Sequence, residues 1–334
     1  MSSAGVTEAQ LYQHVFELTG IHEALLKDEP RNRAFYEALR LHVKEGSTVV
    51  DIGSGTGLWA IMAAKLGASH VVAIEKDGLM CAVIRQLAEE NGVADRVKIV
   101  EGFSSTVILG ERFDVVVSET IGHMIFDEDL VEVMADARQR FLKPGGVMIP
   151  EHAALVAAPV HLEEPRAVWP AGLQADFRSF QDLALNRPLA YCDKSCFRWL
   201  GEKAVLVEAD LRTASARPNV SALVAAWPVA NAQNLDGVAV WVELRLTEGV
   251  TLTTLDTPSW SATVFRLAPF TASAGELRFE LELNPLTSIW TGTLGGESRR
   301  FSPSVAASHM VMRYQAEARL LPNLLMHAGG PAQP

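Results

Sequence analysis

An apolar run ends in three closely spaced glycines in Val49-Val50-Asp51-Ile52-Gly53-Ser54-Gly55-Thr56-Gly57. The run predicts a buried strand, and the pattern of the residues that follow predicts a helix directly after the loop. Because glycine lacks Cβ, the backbone of such a loop can turn sharply and lie close to a bound ligand. A strand, a glycine loop and a helix in this order predict an α/β fold that binds a ligand at the loop.

The residues around this loop, 47–150, repeat the alternation of strand and helix. The apolar runs are "STVVDIG", "HVVAIE", "VKIVEG", "FDVVVSE" and "GGVMIP", and helical patterns such as "LMCAVIRQLAEENG" and "LVEVMADARQRFL" separate several of them. Continuous apolar strands that alternate with helices predict a parallel sheet covered on both faces. Upstream, residues 1–45 predict helices interrupted at Pro30, since a helix interior tolerates proline poorly.

Beyond residue 150 the pattern changes to strands without intervening helices. The strand-like runs are "AVLVEADLR", "VAVWVELRLTEG", "SATVFRLAPF", "ELRFELELNPL" and "HMVMRYQAEARL". Several alternate with period two, as where Leu277, Phe279 and Leu281 would share one face of a strand. These runs predict antiparallel β structure, as a sandwich or a barrel. Residues 165–200, which are rich in Pro and Trp, predict an irregular or helical insertion before these strands.

Composition narrows the class of protein. The 334 residues exceed the ~150-residue prior for one domain about twofold, and a hydrophobic share of 49% can fill a large core. The net charge of −11 argues against a nucleic-acid partner, which usually meets a basic surface. The longest uncharged stretch, 218–235, is not continuously apolar, so no membrane partner is expected. The polar N-terminus predicts a cytoplasmic location. The cysteines are too few and too irregularly spaced for a zinc site or a disulfide framework, so no metal is predicted.

Two classes of cofactor use a glycine loop of this kind. Dinucleotide enzymes prefer G-x-G-x-x-G, whereas here the third glycine comes one residue early and Leu58 stands in its expected place. The form G-x-G-x-G resembles motif I of class I S-adenosylmethionine-dependent methyltransferases. Asp51 suits a cofactor with a cationic amino-acid end, and Glu75, which ends the second strand, could accept hydrogen bonds from both ribose hydroxyls. S-adenosyl-L-methionine is therefore the predicted cofactor.

Two carboxylates lie at the end of the fourth run and just beyond it: Glu119 is its last residue, and Glu128 comes after a short loop. Ligands of open α/β sheets bind beyond the carboxyl ends of the strands, so Glu119 is expected to face the cofactor. Two carboxylates can hold one guanidinium, whose five donors form a rigid planar fork. Such a clamp would localise positive charge on one nitrogen and leave the other richer in electrons. Holding that nitrogen in line with the S–CH₃ bond supplies the proximity that a displacement needs.

This segment resembles the "double-E" hairpin of the protein arginine methyltransferase family, with Glu119 and Glu128 as the two catalytic glutamates. Gly122 and Phe126 are also in register. The resemblance implies a Rossmann-like class I methyltransferase domain followed by a β-barrel-like domain with a dimerisation arm. The implied boundaries are 1–45 for helices that cover the cofactor, 46–150 for the cofactor domain and 151–334 for the substrate domain. The arm would lie at about 165–200.

The resemblance extends to the segment Gly20–Arg31, which looks like the family's segment before the cofactor domain. It implies that Arg31 binds the cofactor carboxylate and that His22 lies over the methionine portion. The implied cofactor-binding residues are His22, Arg31, Asp51, Gly53, Gly55, Gly57, Glu75 and Ser105. The residues Phe177–Leu183 and Arg187–Leu189 are similar to the arm through which family members form head-to-tail dimers, which implies a homodimer.

Some positions depart from the family's pattern. The Thr-His-Trp loop falls on Pro258-Ser259-Trp260, so the tryptophan is kept and Ser259 replaces the histidine. Serine does not titrate near neutral pH, so a proton released in the reaction would pass to a glutamate or to water. Of the N-terminal Tyr-Phe-x-x-Tyr motif only Tyr12 remains, and Ser105 stands where an acid often faces the adenine. The resemblance implies Trp260, Tyr12 and Ser259 as substrate-binding residues.

Four functions are compatible with these patterns. The first is an N-methyltransferase that acts on arginine in a protein or peptide, and the second performs the same chemistry on free L-arginine or another small guanidine. The third is a catalytically silent dimeric scaffold of the same family, against which the intact glycines and glutamates argue. The fourth is a methyltransferase for another small nucleophile, although paired acids would repel a carboxylate acceptor.

Overall fold

The computed structural model of the chain describes residues 8–122, 124–125, 128–163, 184–283 and 288–302. Phe126, the segment Phe177–Leu183 and the run "HMVMRYQAEARL" therefore lie outside the described residues. Among the helices that are described, none combines the length and the apolar character that a membrane-spanning segment needs.

Two helices precede the sheet, α1 (Glu8–Lys27) and α2 (Glu29–His42). The break between them falls at Asp28, whose side chain caps α2 by accepting a hydrogen bond from the backbone N–H of Arg31 at 3.1 Å. Pro30 lies in the first turn of α2, where its missing N–H has no partner to lose. The predicted interruption is present, but it lies two residues before Pro30, which belongs to the first turn of the second helix.

The predicted parallel sheet is present, with strand order β3-β2-β1-β4-β5 and parallel pairing throughout. Its strands are β1 (Thr48–Ile52), β2 (His70–Glu75), β3 (Val97–Glu101), β4 (Phe113–Ser118) and β5 (Leu142–Ile149). The helices that accompany it are α3 (Leu58–Lys65), α4 (Gly78–Glu90) and α5 (Leu130–Arg140). The strand order reverses between β1 and β4, so ligands are expected at the carboxyl ends of these two strands. The glycine loop follows β1 there, and Glu119 follows β4.

The second half of the chain is antiparallel, as predicted. Its strands are β6 (His152–Leu162), β7 (Leu189–Cys192), β8 (Phe197–Trp199), β9 (Ala204–Asp210), β10 (Leu223–Val229), β11 (Gly237–Thr247), β12 (Val250–Thr253), β13 (Ala262–Arg266), β14 (Gly275–Leu283), β15 (Ser288–Leu294) and β16 (Glu297–Phe301). They form a seven-stranded sheet around β6 and β11 and a four-stranded sheet ordered β10-β14-β15-β16. The chain is thus a mixed α/β fold in which a Rossmann-like parallel sheet precedes antiparallel sheets.

Burial explains which strands the sequence pattern reveals. Along β14, Leu277, Phe279 and Leu281 are fully buried while Arg278 is exposed, so the predicted alternation is confirmed. β6 shows no alternation because both of its faces are buried. Leu155 packs into the core shared with the parallel sheet, and Val156 packs into a second apolar cluster on the opposite face. A strand buried on both faces forms a continuous apolar run, which periodicity cannot separate from other buried segments.

Candidate functional site

The glycine loop requires glycine at all three positions. Gly53, Gly55 and Gly57 have φ of 69°, 53° and 75°, in the left-handed region that other residues rarely adopt. A Cβ on Gly53 would lie 2.7 Å from Thr120 Cγ2, and one on Gly57 would lie 2.8 Å from a methyl group of Ile84 in α4. The loop is therefore packed between the segment that follows β4 and the middle of α4.

Glu75 and His22 lie against this loop. The Glu75 carboxylate accepts hydrogen bonds from the backbone N–H groups of Gly55 at 2.8 Å and Asp77 at 2.9 Å, so it is fixed at the end of β2. A Cβ on Gly55 would lie 2.6 Å from His22 Cε1, which places the imidazole over the loop. Burial lowers the pKa of His22, and the nearby Arg31 charge adds to this effect, although Glu75 opposes it. His22 is therefore neutral near pH 7.

Asp51 is completely buried at the end of β1. Its Oδ2 accepts the backbone N–H of Ala60 in α3 at 3.1 Å, whereas its Oδ1 has no partner among the described residues. Burial raises the pKa of Asp51 to about 7, and the hydrogen bonds that it accepts only partly oppose this rise. A buried carboxylate oxygen without a donor is costly, so this site is suited to a cation or a hydrogen-bond donor of a ligand.

Arg31 is the central cation of the site. Its Nη2 pairs with Glu119 Oε2, and its Cζ lies 5.4 Å from the ring centres of both Trp59 and Trp260. Its Nη1 donates to Leu25 O at 3.2 Å. Burial lowers the pKa of Arg31 to about 10, which leaves the guanidinium charged at neutral pH. Its Nε is buried and has no partner among the described residues, so one donor remains for an anionic ligand.

The two predicted catalytic glutamates differ in their surroundings. The Glu119 side chain is 11% exposed and is bound to Arg31, whereas Glu128 is an exposed residue just before α5. The intervening loop has positive φ at Ile125 (65°), and Asp129, which precedes α5, has φ of 56°. Left-handed backbone at residues other than glycine is characteristic of constrained loops. The structure thus brings Arg31 to Glu119 and leaves Glu128 at the surface of the same loop.

The substitution in the Thr-His-Trp loop creates a specific contact. The Ser259 hydroxyl and its backbone N–H, the latter at 3.1 Å, both donate to Asp28 Oδ2. Trp260 is buried against Arg31. Sequence reasoning did not identify Asp28 or Trp59 as parts of this site. The N-cap pattern Asp-Glu-Pro was the available signal for Asp28, whereas Trp59 looked like one apolar residue of α3 among others.

Tyr12 and Ser105 lie apart from this group. Tyr12 is 65% exposed, and its hydroxyl donates to Glu8 on the same helix at 2.9 Å. Ser105 is exposed in the turn that follows β3, at the edge of the sheet where Glu75 also ends its strand. The structure therefore does not bring Tyr12 to Glu119, and it places Ser105 four residues beyond the end of β3, the strand that pairs with the strand of Glu75.

The unpartnered atoms test whether the site fits the predicted cofactor. Arg31 Nε is a buried donor, and Asp51 Oδ1 is a buried acceptor at the glycine loop. An amino acid in its charged form carries one carboxylate and one ammonium group, which complement a donor and an acceptor of this kind. The residues present thus fit a ligand that ends in an amino acid, as S-adenosylmethionine does.

Comparisons with known proteins agree with this geometry. A family model described as "Ribosomal protein L11 methyltransferase (PrmA)" matches residues 33–150, which contain the parallel sheet. The chain is 36% identical over 151 residues to "Probable protein arginine N-methyltransferase 6" of Arabidopsis thaliana, which covers 45% of this chain and 34% of that protein. It is 32% identical over 244 residues to "Arginine N(omega)-methyltransferase" of Streptomyces achromogenes subsp. streptozoticus, which covers 69% of this chain and 65% of that protein. The chain thus spans between about a third and two thirds of these relatives.

Solved structures show the same fold. The Trypanosoma brucei protein in "PRMT1 enzyme-prozyme heterotetrameric complex with AdoHcy" matches with a TM-score of 0.71 at 22% identity, over 85% of this chain and 98% of that chain. Arabidopsis thaliana protein arginine methyltransferase 10 matches with a TM-score of 0.69 at 21% identity, over 84% and 97% of the two chains. The sequence relatives confirm the predicted resemblance to the protein arginine methyltransferase family, and the solved structures show the same fold.

Proposed function

We propose that this protein is an S-adenosylmethionine-dependent N-methyltransferase that transfers a methyl group to a terminal guanidino nitrogen of arginine. The acceptor is free L-arginine or a small guanidine, or else arginine in a protein. The observation that carries the proposal is the pair of buried, unpartnered atoms, Arg31 Nε and Asp51 Oδ1, together with Glu119, a carboxylate that already holds the Arg31 guanidinium. This combination fits both an amino-acid end and a guanidinium.

The cofactor would be held by groups at the carboxyl ends of β1 and β2 and by side chains of α1 and α2. Arg31 Nε would donate to its carboxylate, Asp51 would accept from its ammonium group, and His22 would cover the portion that lies on Gly55. Glu75 would accept hydrogen bonds from the ribose hydroxyls. It would use the lone pairs that are not engaged by the backbone N–H groups of Gly55 and Asp77. When bound, the cofactor supplies a methyl group on a positively charged sulfur.

The acceptor guanidinium would be held by Glu119 and Glu128. Arg31 takes Oε2 of Glu119, so Oε1 is the oxygen that would accept from the substrate. Held in this way, the acceptor nitrogen would be placed to take the methyl group that the bound cofactor supplies. A carboxylate or water would take the N–H proton that the acceptor releases. Ser259 does not serve as the base, because a hydroxyl that donates to Asp28 does not titrate near neutral pH.

Incubation with methyl-labelled S-adenosylmethionine tests the proposal. Four parallel reactions contain free L-arginine, an arginine-rich peptide, the same peptide with lysine at every arginine, and no acceptor. We expect label in an arginine acceptor and none in the lysine peptide or the acceptor-free reaction. Cofactor binding without transfer to any acceptor would support a silent scaffold, and label in the lysine peptide would contradict guanidinium selectivity.

The same experiment separates the two acceptor classes. The Streptomyces relative is named an arginine methyltransferase, and the Arabidopsis relative is named a protein arginine methyltransferase. An acidic chain with a net charge of −11 would attract arginine-rich segments and free arginine alike. A specificity constant at least about tenfold higher for one acceptor, which corresponds to ~1.4 kcal/mol, would assign the class.

Three organisational features belong to the same proposal. We place the boundaries at 1–45, 46–150 and 151–334, and we expect a cytoplasmic homodimer that uses an arm at about 165–200. The support for the arm is the similarity of Phe177–Leu183, which lies outside the described residues, and of Arg187–Leu189. Light scattering during size-exclusion chromatography tests the dimer, because a mass near 36.3 kDa at all concentrations would contradict it.

A further inference from the structure

Asp28 is a fully buried carboxylate at the junction of α1 and α2. Its Oδ1 accepts the backbone N–H of Arg31, and its Oδ2 accepts both the hydroxyl and the backbone N–H of Ser259. Ser259 lies 231 residues further along the chain, so this contact joins the N-terminal helices to the antiparallel half. A buried carboxylate is tolerated only when donors satisfy it, and removing one donor has a clear cost.

The loop that presents Ser259 is itself held in shape. Thr257 donates its hydroxyl to Thr254 O at 3.0 Å, and the backbone N–H of Ser261 donates to Thr257 O at 3.3 Å. Ser261 has a positive φ of 59°, which closes the turn. The position of Ser259 is thus set by its own loop, and Asp28 is fixed relative to that loop.

The contact between Arg31 and Trp260 is adjacent in sequence to the contact between Asp28 and Ser259. Arg31 is three residues after Asp28, Trp260 is one residue after Ser259, and the Arg31 guanidinium lies 5.4 Å from the Trp260 ring centre. The hydrogen bonds of Asp28 therefore hold both the first turn of α2 and the residue beside Trp260. We call this pair of contacts the Asp28–Ser259 interlock.

We infer that Ser259 is a positioning residue which, through Asp28, sets the place of the Arg31 guanidinium for the amino-acid end of the cofactor. This inference rests on the proposed function and adds a part of the site that lies in the other half of the chain. Ser259 contributes a hydrogen-bond donor and no titrating group, so its role is to orient and not to exchange protons. The antiparallel half thereby takes part in binding a ligand that the parallel sheet holds.

Calorimetric titration of the full chain with two ligands tests the inference. S-adenosylhomocysteine carries the amino-acid end, and 5′-methylthioadenosine lacks it. We expect Ser259→Ala to weaken binding of S-adenosylhomocysteine about tenfold, in keeping with the loss of a donor to a buried charged acceptor. Binding of 5′-methylthioadenosine is expected to change less than about twofold, because it does not reach Arg31.

Two further variants control the result. Ser259→Thr keeps the hydroxyl and is expected to restore most of the affinity. Ser298→Ala removes a hydroxyl that contacts Thr293 at 3.0 Å on the β15–β16 hairpin, and it is expected to behave as wild type. Unchanged S-adenosylhomocysteine affinity in Ser259→Ala, equal losses for both ligands, or no recovery in Ser259→Thr would each overturn the inference. Calorimetry measures binding and does not depend on turnover, so the two proposals are tested separately. The binding data can contradict the role of Ser259 even if methyl transfer is observed. They can also support that role even if no methyl transfer is observed.

Discussion

At the residue scale, the Glu119 carboxylate has two roles. It pairs with Arg31 in the structure, and in the proposed reaction it also holds the acceptor. Glu119→Gln removes the charge that polarises the acceptor, so we expect turnover to fall by about 10²–10³. Affinity for S-adenosylhomocysteine should be retained or should increase, because Arg31 loses the anion that competes for it.

Steady-state kinetics measure the turnover of Glu119→Gln, and calorimetry measures its affinity for S-adenosylhomocysteine. Both are compared with those of Glu276→Gln. Glu276 is an exposed glutamate on β14 and serves as the control. Near-normal turnover of Glu119→Gln would mean that the guanidinium clamp is wrong.

Asp51 yields a prediction about pH. Its pKa is raised by burial from an ordinary 3.8 to about 7, so the folded state binds this proton more tightly than the unfolded state. The free energy of unfolding therefore decreases as the pH rises from 3.8, the ordinary pKa, to about 7, the pKa in the folded state. The total decrease is up to about 4 kcal/mol. Asp51→Asn should remove this part of the pH dependence in the ligand-free protein.

Urea unfolding of both proteins between about pH 5 and pH 8 gives the comparison. Asp95→Asn, at an exposed aspartate, shows what the removal of an ordinary carboxyl does. Identical pH slopes for wild type and Asp51→Asn would show that Asp51 titrates as an ordinary acid.

The residue scale also shows how far sequence reasoning extends into the site. Asp51 and Glu119 were identifiable because Asp51 lies at the end of β1 and Glu119 directly follows β4, and both strands have a recognisable pattern. Trp59 and Asp28 were not identifiable from the sequence. Nothing in the sequence around Trp59 shows that its ring contacts Arg31 and is not simply part of the core. Nothing in the sequence around Asp28 shows that this helix-capping residue also accepts a hydrogen bond from the distant Ser259.

At the scale of elements, the turn from β1 to α3 depends on Gly55. Its φ of 53° is strained for alanine, and a Cβ would lie 2.6 Å from the His22 ring. We expect Gly55→Ala to weaken S-adenosylhomocysteine binding more than about tenfold and to destabilise the fold by about 1–3 kcal/mol. Gly92→Ala is a matched control, since Gly92 has φ of 67° and open space around it.

Calorimetry and thermal unfolding separate these two effects. Both variants carry the same backbone strain, but only Gly55→Ala collides with His22. If the two variants bound S-adenosylhomocysteine equally well, the contact of His22 with the loop would have no role in binding.

The elements also differ in how well their patterns predict them. The strands of the parallel sheet and β14 were visible as runs or alternations. β6 was missed because both of its faces are buried, so its sequence lacks the contrast between a core face and a solvent face. A helix interruption was predicted at Pro30, because a helix interior tolerates proline poorly, and the break lies two residues earlier at Asp28.

At the scale of the whole molecule, Arg217 connects the antiparallel half to the loop of Glu128. It binds Asp129 and donates to Glu132 Oε1 at 2.8 Å, at the N-terminus of α5. Since Asp129 has left-handed backbone next to Glu128, Arg217 is placed to fix this loop. We expect Arg217→Ala to raise the acceptor KM by about tenfold at low salt and to leave cofactor affinity unchanged.

Arg212→Ala is the control for Arg217→Ala. Arg212 lies in the same segment and pairs with Asp210 at 2.7 Å, and none of its described contacts reaches α5. Kinetics at low and high salt measure both variants. Equal acceptor KM values for Arg217→Ala and Arg212→Ala would show that Arg217 does not act on the Glu128 loop.

The signals that the sequence carried are local ones. A glycine loop between strand and helix, acids directly after strands and alternation along β14 each arise within a few residues, because backbone geometry and burial impose them there. The ion pair of Arg31 with Glu119 spans 88 residues, and the Asp28–Ser259 contact spans 231. Such pairs form only when the two halves pack, since side chains far apart in the chain carry no shared periodicity. The local sequence pattern therefore determines where the site lies in the fold. The tertiary packing of the two halves determines which charged side chains meet at that site.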